Sequence, residues 1–375
     1  MKILHVLPDV DSLAGGIPIV ATHLAAAQAA LGHRVCVAAY RKVSDEQRIA
    51  HELSLIPGFA KVHVEYIADL TRRECLLGLQ TRRRIDPLIR DFEIVHIHGV
   101  WDLVERLAAR AARRAAVPYV ITPHGMLDPY SLSQKKWKKR LALAMGYRRM
   151  LDECTFLHAL NADEQNLLVP LGLRCPVRVI PNGVFLEEFE SVPPLKRPKP
   201  YILFLGRLHP KKGLDYLADA FAQVGRKRSD IDLLLVGPEG GAGPLFRERI
   251  EKYQLTQRVQ ILPPVFDAEK WAVVRGAAIF CLPSRQEGFS MAILESLACG
   301  IPVVISEQCH FPQVAQAKAG YVLPLNADAF AKAILELLGD DSLRQEMSRA
   351  AAQLVRSQYL WPNIAQQSID AYLAR

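Results

Sequence analysis

The chain has 375 residues, half of them hydrophobic, with a formal net charge of +8 and seven cysteines. That length holds two domains with sizeable cores, and the composition excludes a disordered or fibrous chain. The cysteines are scattered singly with no Cys-x-x-Cys pair, which reads as reduced thiols of the cytoplasm and gives no metal cluster.

The first eight residues are too short and polar-flanked for a signal peptide, and no apolar run nears the roughly 20 residues of a spanning helix. The charge is uneven. Residues 1–185 hold 25 Lys/Arg against 18 Asp/Glu, and residues 186–375 hold 22 against 21. The excess in the first half suits a polyanionic partner or an anionic membrane surface.

Residues 2–7 read as a buried strand. A loop ending in Gly15-Gly16 follows, then an Ala-rich helix over 18–31 and a second strand over 34–40. This is a βαβ start. It lacks the Gly-x-Gly-x-x-Gly of a dinucleotide site, which argues against a nicotinamide-dependent enzyme. Gly15 and Gly16 either make a plain tight turn or let the backbone approach a phosphate or sugar.

Residues 93–97 form the next strand, ending in His96-Ile97-His98-Gly99-Val100-Trp101. Alternation puts His96 and His98 on one face. Two histidines at that spacing suit a metal, but no third ligand is evident nearby. The other readings are a packed histidine and one that lines an acceptor cleft beyond the strand end, with Trp101.

The strand over 119–122 runs into Pro123-His124-Gly125-Met126-Leu127-Asp128. His124 sits at its carboxyl end, and Asp128 joins the acceptor-cleft candidates. Residues 131–150 then carry Lys135, Lys136, Lys138, Lys139, Arg140, Arg148 and Arg149, interspersed with Trp137, Leu141, Leu143 and Met145. This is either a solvated face or a basic amphipathic helix resting on anionic lipid. A nucleic-acid partner is set aside, because no nucleic-acid motif accompanies the charge. Residues 158–164 read as a strand end and an Asn161-capped helix. Pro181-Asn182-Gly183-Val184 then turns the chain.

Residues 187–200 read as a linker. A strand over 201–205 leads into Gly206-Arg207-(x)4-Lys212-Gly213, and a helix begins at Leu214. Arginine offers a planar fork to phosphate oxygens, and lysine a point charge. Strands follow over 231–236 and 259–262, the second trailed by Pro263-Pro264-Val265-Phe266.

The apolar run 277–282 is the next buried strand. After it comes Ser284-Arg285-Gln286-Glu287-Gly288-Phe289-Ser290, then a helix with Met291, Leu294, Leu297 and Ala298 on one face. Outward N–H groups near Phe289 and Ser290, with the helix dipole, favour an anion. Glu287 lies at the helix mouth. Glu295 lies roughly 7–8 Å further along the axis. Carboxylates bind sugar hydroxyls better than phosphate, so a ligand with sugar, diphosphate and ribose in line suits the site. Short strands over 302–305 and 321–323 and helices over 327–338 and 341–357 complete this half. A last helix runs to residue 374.

The two glutamates with seven residues between them, ahead of Leu-Ala-Cys-Gly-Ile-Pro-Val-Val, resemble the signature of retaining glycosyltransferases of family 4. The Gly loop, His124-Gly125, Pro-Asn-Gly-Val and Gly-Arg-(x)4-Lys-Gly match the family in the same order. One departure is Ser290, where many members have glycine.

The resemblance implies a GT-B fold, with two Rossmann-like α/β domains facing a central cleft. Residues 1–185 would be the acceptor-side domain and 186–358 the nucleotide-sugar domain. Residues 359–375 would be a helix packing back on the first. It implies a nucleotide-sugar donor held by Gly15, Gly16, Arg207, Lys212, Glu287, Gly288, Phe289, Ser290 and Glu295. Arg207 and Lys212 would take the diphosphate, Glu295 the ribose, and Glu287 and His124 the sugar. The Pro263–Phe266 loop would hold the base. The acceptor would be a glycan or lipid-linked glycan. No cofactor and no metal are expected, since two cations and a helix dipole replace the ion. An epimerase or phosphorylase of the same fold, and a non-catalytic carbohydrate-binding protein, are the other classes.

Overall fold

The structure is a computed structural model that describes residues 1–374. The chain divides into two compact units. One is Met1–Gly183 with the chain from Trp361 onward, and the other is Val184–Leu360. The sequence reading set these limits at 185 and 358. The shift has a local cause. Val184 bridges Leu360, and its N–H donates to the Tyr359 carbonyl at 2.9 Å, so both crossing segments stay with the second unit.

The first unit is a seven-stranded parallel sheet. In chain order its strands are β1 Lys2–Val6, β2 Arg34–Arg41, β3 His63–Asp69, β4 Ile94–His98, β5 Tyr119–Thr122, β6 Phe156–Ala159 and β7 Val177–Val179. Their spatial order is β3-β2-β1-β4-β5-β6-β7. The second unit has β8 Tyr201–Leu205, β9 Asp232–Val236, β10 Val259–Leu262, β11 Ile279–Leu282, β12 Val303–Ser306 and β13 Gly320–Leu323. Their order is β10-β9-β8-β11-β12-β13. Both are doubly wound, and the order reverses between β1 and β4 and between β8 and β11. Helices cover both sheet faces, so central strands are apolar throughout. The burial of every residue of β4, β5 and β11 is the direct result.

The helix Gly16–Ala30 begins two residues earlier than the periodicity predicts, with Gly15 as its N-cap. It packs on the C-terminal helix Trp361–Leu373, which buries Trp361, Ser368 and Tyr372. Arg178 ties that helix to β7 by donating to the Ala371 carbonyl at 2.7 Å. Among the described residues no helix is long and apolar enough to cross a membrane.

Two expectations change. The basic stretch is not one helix. It breaks into Pro129–Ser133, Lys136–Ala142 and Arg148–Asp152. Lys135 (φ 50°) and Gly146 (φ 106°) take left-handed backbone that no α-helix continues through. The segment 187–200 is no free linker either. Phe189 packs on Trp271 with ring centroids 4.9 Å apart, and Arg275 donates to the carbonyls of Phe189 and Glu190 at 2.6 and 2.8 Å.

Candidate functional site

In the second unit, the loops leaving β8 and β11 lie side by side because those strands flank the reversal of strand order. Ligands of doubly wound sheets bind at such a point, beyond the carboxyl ends of the strands. Gly213, at φ 66°, ends the first loop. A Cβ there would sit 1.8 Å from the Pro283 carbonyl oxygen. Only glycine lets the two backbones come this close. The Ser284 hydroxyl and the Arg285 N–H donate to the Lys211 carbonyl at 3.0 and 2.6 Å. Arg285 also forks onto the Asp215 carboxylate, at 2.9 and 2.6 Å. Neither Asp215 nor this clamp was read from the sequence.

The clamp brings Lys212 to Glu287. The Lys212 Nζ donates to both carboxylate oxygens, at 2.8 and 3.0 Å. The Glu287 side chain is only 10% exposed. Arg207 is exposed, and its aliphatic stem passes Gly240, where a Cβ would lie 2.7 Å from Arg207 Cγ. The helix Met291–Ala298 starts behind Ser290, whose side chain makes no capping bond. Its first-turn N–H groups have no intrahelical acceptor, which leaves the dipole's positive end beside the Glu287–Ser290 loop. Phe289 turns its ring into an aromatic group with Phe311 and Tyr359, so it offers the site its backbone.

Glu295 is one turn further into that helix, buried, and paired with Lys270 Nζ at 3.0 Å. The Lys270 ammonium also rests 4.1 Å above the Trp271 ring. Sequence reasoning missed Lys270, because nothing in a helix sequence announces a partner 25 residues on.

In the first unit, Gly15 and Gly16 leave open space, since a Cβ at either would meet nothing within 4 Å. His124 follows β5 at φ 52°, a strained conformation for a residue other than glycine. Glu164 holds it there. Its buried carboxylate accepts the N–H of Gly125 and of Leu160, both at 2.7 Å, while burial raises its pKa.

His98 is buried, so the expectation that it lines an acceptor cleft gives way: it backs His124, with Nδ1 3.2 Å from His124 Nε2. Asp128 is buried as well and caps Pro129–Ser133 through the Ser131 N–H at 2.5 Å. Trp101 is half-buried, donating to the Met126 carbonyl at 3.3 Å under the Lys139 ammonium.

The third histidine that the sequence did not bring near His96 and His98 is His5. Its strand β1 pairs with β4 in a register that sets His5 beside His96. Ring nitrogens of these three gather within 4.8 Å, close enough to hold a metal. All six nitrogens are already in hydrogen bonds: His5 with His98 and Gln28, His96 with Tyr372 and Thr122, and His98 onward to His124. Burial drives His5 and the neighbouring His158 down to about 4, and His124 to about 3. Burial and then neighbouring histidines hold His96 and His98 lower than an ordinary imidazole. The five rings are therefore neutral at physiological pH.

Residues 14–188 match the Glycosyltransferase Family 4 model, and residues 187–354 match that of Glycosyl transferases group 1. The chain is 29% identical to the phosphatidyl-myo-inositol mannosyltransferase of Mycobacterium leprae, covering 99% of this chain and 96% of the relative. It is 31% identical to the D-inositol 3-phosphate glycosyltransferase of Frankia alni, covering 78% and 77%. Its structure superposes on Anabaena HepE in complex with UDP-glucose with a TM-score of 0.78 at 18% identity, over the whole of both chains. Two doubly wound parallel sheets, the loop pair at β8 and β11 and these matches together place the chain in glycosyltransferase family 4, as a glycosyltransferase of the GT-B fold.

Proposed function

We propose that this glycosyltransferase moves a sugar from a nucleotide-sugar donor to a hydroxyl of a glycan or lipid-linked glycan, with retention of anomeric configuration. The carrying observation is the Lys212–Glu287 pair at the mouth of the Met291–Ala298 helix, with Arg207 on the adjoining loop. A diphosphate is the ligand that uses two cations and a helix N-terminus at once. Glu287 is then left to the sugar and Glu295 to the ribose hydroxyls. Relatives named for mannosyl transfer to phosphatidyl-inositol and a structural neighbour holding UDP-glucose support this class of donor and acceptor.

The acceptor oxygen attacks the anomeric carbon from the face that the diphosphate leaves. As the new C–O bond forms, the bond to the phosphate oxygen breaks, and that oxygen takes the acceptor's proton. Arg207, Lys212 and the helix dipole stabilise the charge that grows on the departing diphosphate. His124 positions the sugar. No side chain is assigned as a covalent nucleophile, and no metal is needed at the donor site. An epimerase would consume the donor without an acceptor. Assay of donor turnover with and without glycan acceptors, in excess EDTA, tests all of this. Product should require the acceptor, keep the donor's anomeric configuration and form at an unchanged rate with chelator. Acceptor-independent turnover would make the chain an epimerase or hydrolase. Abolition by EDTA with rescue by magnesium or manganese would show the donor site to be misread.

The broken basic segment is proposed to rest on the anionic face of a membrane. Lys135, Lys136, Lys138 and Arg140 are exposed, alongside Trp137 at 68%, Leu141 at 52% and Met145 at 55%. Lys139 is spent inward on Ser131, and Arg148 on Asp152. Four exposed cations at roughly 1 kcal/mol each would give reversible, salt-sensitive binding. The protein should sediment with vesicles containing anionic phospholipid at low salt and stay in solution with neutral ones. Recovery in the supernatant with both would favour a solvated face and a soluble acceptor.

A further inference from the structure

The buried histidines form a hydrogen-bonded chain with a direction, and the C-terminal helix sets that direction. Ser368 donates its hydroxyl proton to the Ala365 carbonyl at 2.7 Å. Its oxygen can then only accept. The Gln28 amide therefore turns its NH2 toward Ser368, at 2.8 Å, and toward the Tyr372 hydroxyl, at 3.2 Å. That leaves the Gln28 carbonyl oxygen facing His5 Nε2 at 2.7 Å, so His5 carries its proton on Nε2.

A neutral imidazole has one N–H and one lone-pair nitrogen. His5 Nδ1 must then accept, at 2.9 Å, from His98 Nε2–H. His98 Nδ1 in turn accepts, at 3.2 Å, from His124 Nε2–H. The side branch agrees. Tyr372, having accepted from Gln28, donates to His96 Nδ1 at 2.7 Å, and His96 Nε2–H reaches Thr122 Oγ1 at 2.6 Å. Each ring N–H in this chain meets an acceptor without a charged ring, and the side chains are buried except for the half-buried His124.

We propose that Gln28, held by Ser368, acts through His5 and His98 as a positioning residue that fixes His124 in its Nε2–H tautomer. His124 thereby presents Nδ1 as a hydrogen-bond acceptor for a hydroxyl of the transferred sugar. Were the Gln28 amide reversed, each proton in the chain would move to the other nitrogen, and His124 would present an Nδ1–H donor. One amide orientation in the core thus decides whether the sugar meets an acceptor or a donor. The sugar contact rests on the transfer reading above, whereas the tautomer does not.

The test is 15N NMR of the full chain labelled at histidine, without substrate, with His124 assigned by its loss in His124→Asn. The expected spectrum gives His124 a lone-pair type Nδ1 shift and an N–H type Nε2 shift. In Ser368→Ala, which frees the Gln28 amide to reverse, the single His124 tautomer should become a mixture of comparable populations. An N–H type Nδ1 in the parent protein overturns the proposal. So does an unchanged single tautomer in Ser368→Ala. Neither result bears on glycosyl transfer, which the acceptor-dependence assay reads separately.

Discussion

Alanine at Arg207 or at Lys212 should lower kcat/KM by roughly 30- to 1000-fold, the range that a loss of 2–4 kcal/mol of transition-state stabilisation gives. The two losses should differ. Arg207 is exposed, and its removal takes away a cation without leaving a buried charge behind. Lys212 is the cation bonded to Glu287, a carboxylate only 10% exposed. If the donor binds as proposed, without Lys212 that carboxylate would face the diphosphate unneutralised, so repulsion would add to the missing attraction. Lys212→Ala should therefore be the worse variant. Arg207 is exposed, so Arg207→Ala should melt close to the parent, whereas Lys212→Ala should also lose some stability because it leaves the Glu287 carboxylate unpaired. Steady-state kinetics with a nucleotide-sugar donor decide the matter. Turnover within threefold of the parent for both variants would remove the diphosphate from this loop.

The first unit should lose stability steeply as pH falls below about 6.5. His5 and His158 are fully buried, and burial puts their pKa near 4 against an ordinary 6.5. Between those values the unfolded chain binds protons that the folded chain refuses, so acid favours unfolding. Above pH 6.5 both states are neutral at these rings, and no penalty applies. By pH 4 each of the two costs on the order of 3 kcal/mol.

His96 and His98 shift the same way. Glu105 and Glu164, whose burial raises their carboxyl pKa, act in the opposite sense and offset part of the loss. A net of several kcal/mol is a large share of the roughly 5–15 kcal/mol that stabilises a domain. It corresponds to a fall of about 10–20 °C in melting temperature for a unit of this size. The second unit holds only His209 and His310, neither of them buried, and its transition should move less. Calorimetry from pH 7.5 to 4.5 measures both. Two transitions that decline in parallel would mean the histidine cluster titrates normally.

Much of the fold was legible because covered parallel sheets demand apolar strands. β5, β8 and β10 lie where their Val, Ile, Leu, Tyr and Phe runs begin and end. β3 was not legible. It is an edge strand, His-Val-Glu-Tyr-Ile-Ala-Asp, whose polar residues interrupt the apolar run and blur the pattern. The basic stretch misled for a different reason. Its helical composition is real, but Lys135 takes a left-handed conformation that composition does not reveal.

Residue types and short spacings make Arg207, Lys212, Glu287 and Glu295 candidates from the sequence, and the family resemblance adds His124. Each chemistry needs a fork, a point charge, a carboxylate or an imidazole beside a turn, and those are local properties of a chain. What they face was decided only in three dimensions. Lys212 reaches Glu287 across 75 residues because β8 and β11 are neighbours and Gly213 admits Pro283. His5 joins His96 and His98 because β1 and β4 pair in one register, and Gln28 meets Ser368 across 340 residues because two helices pack. Residue order specifies which groups this enzyme has and most of the strands and turns that carry them. Their partners are set only once the chain is folded, because burial and hydrogen bonding act through space and not along the chain.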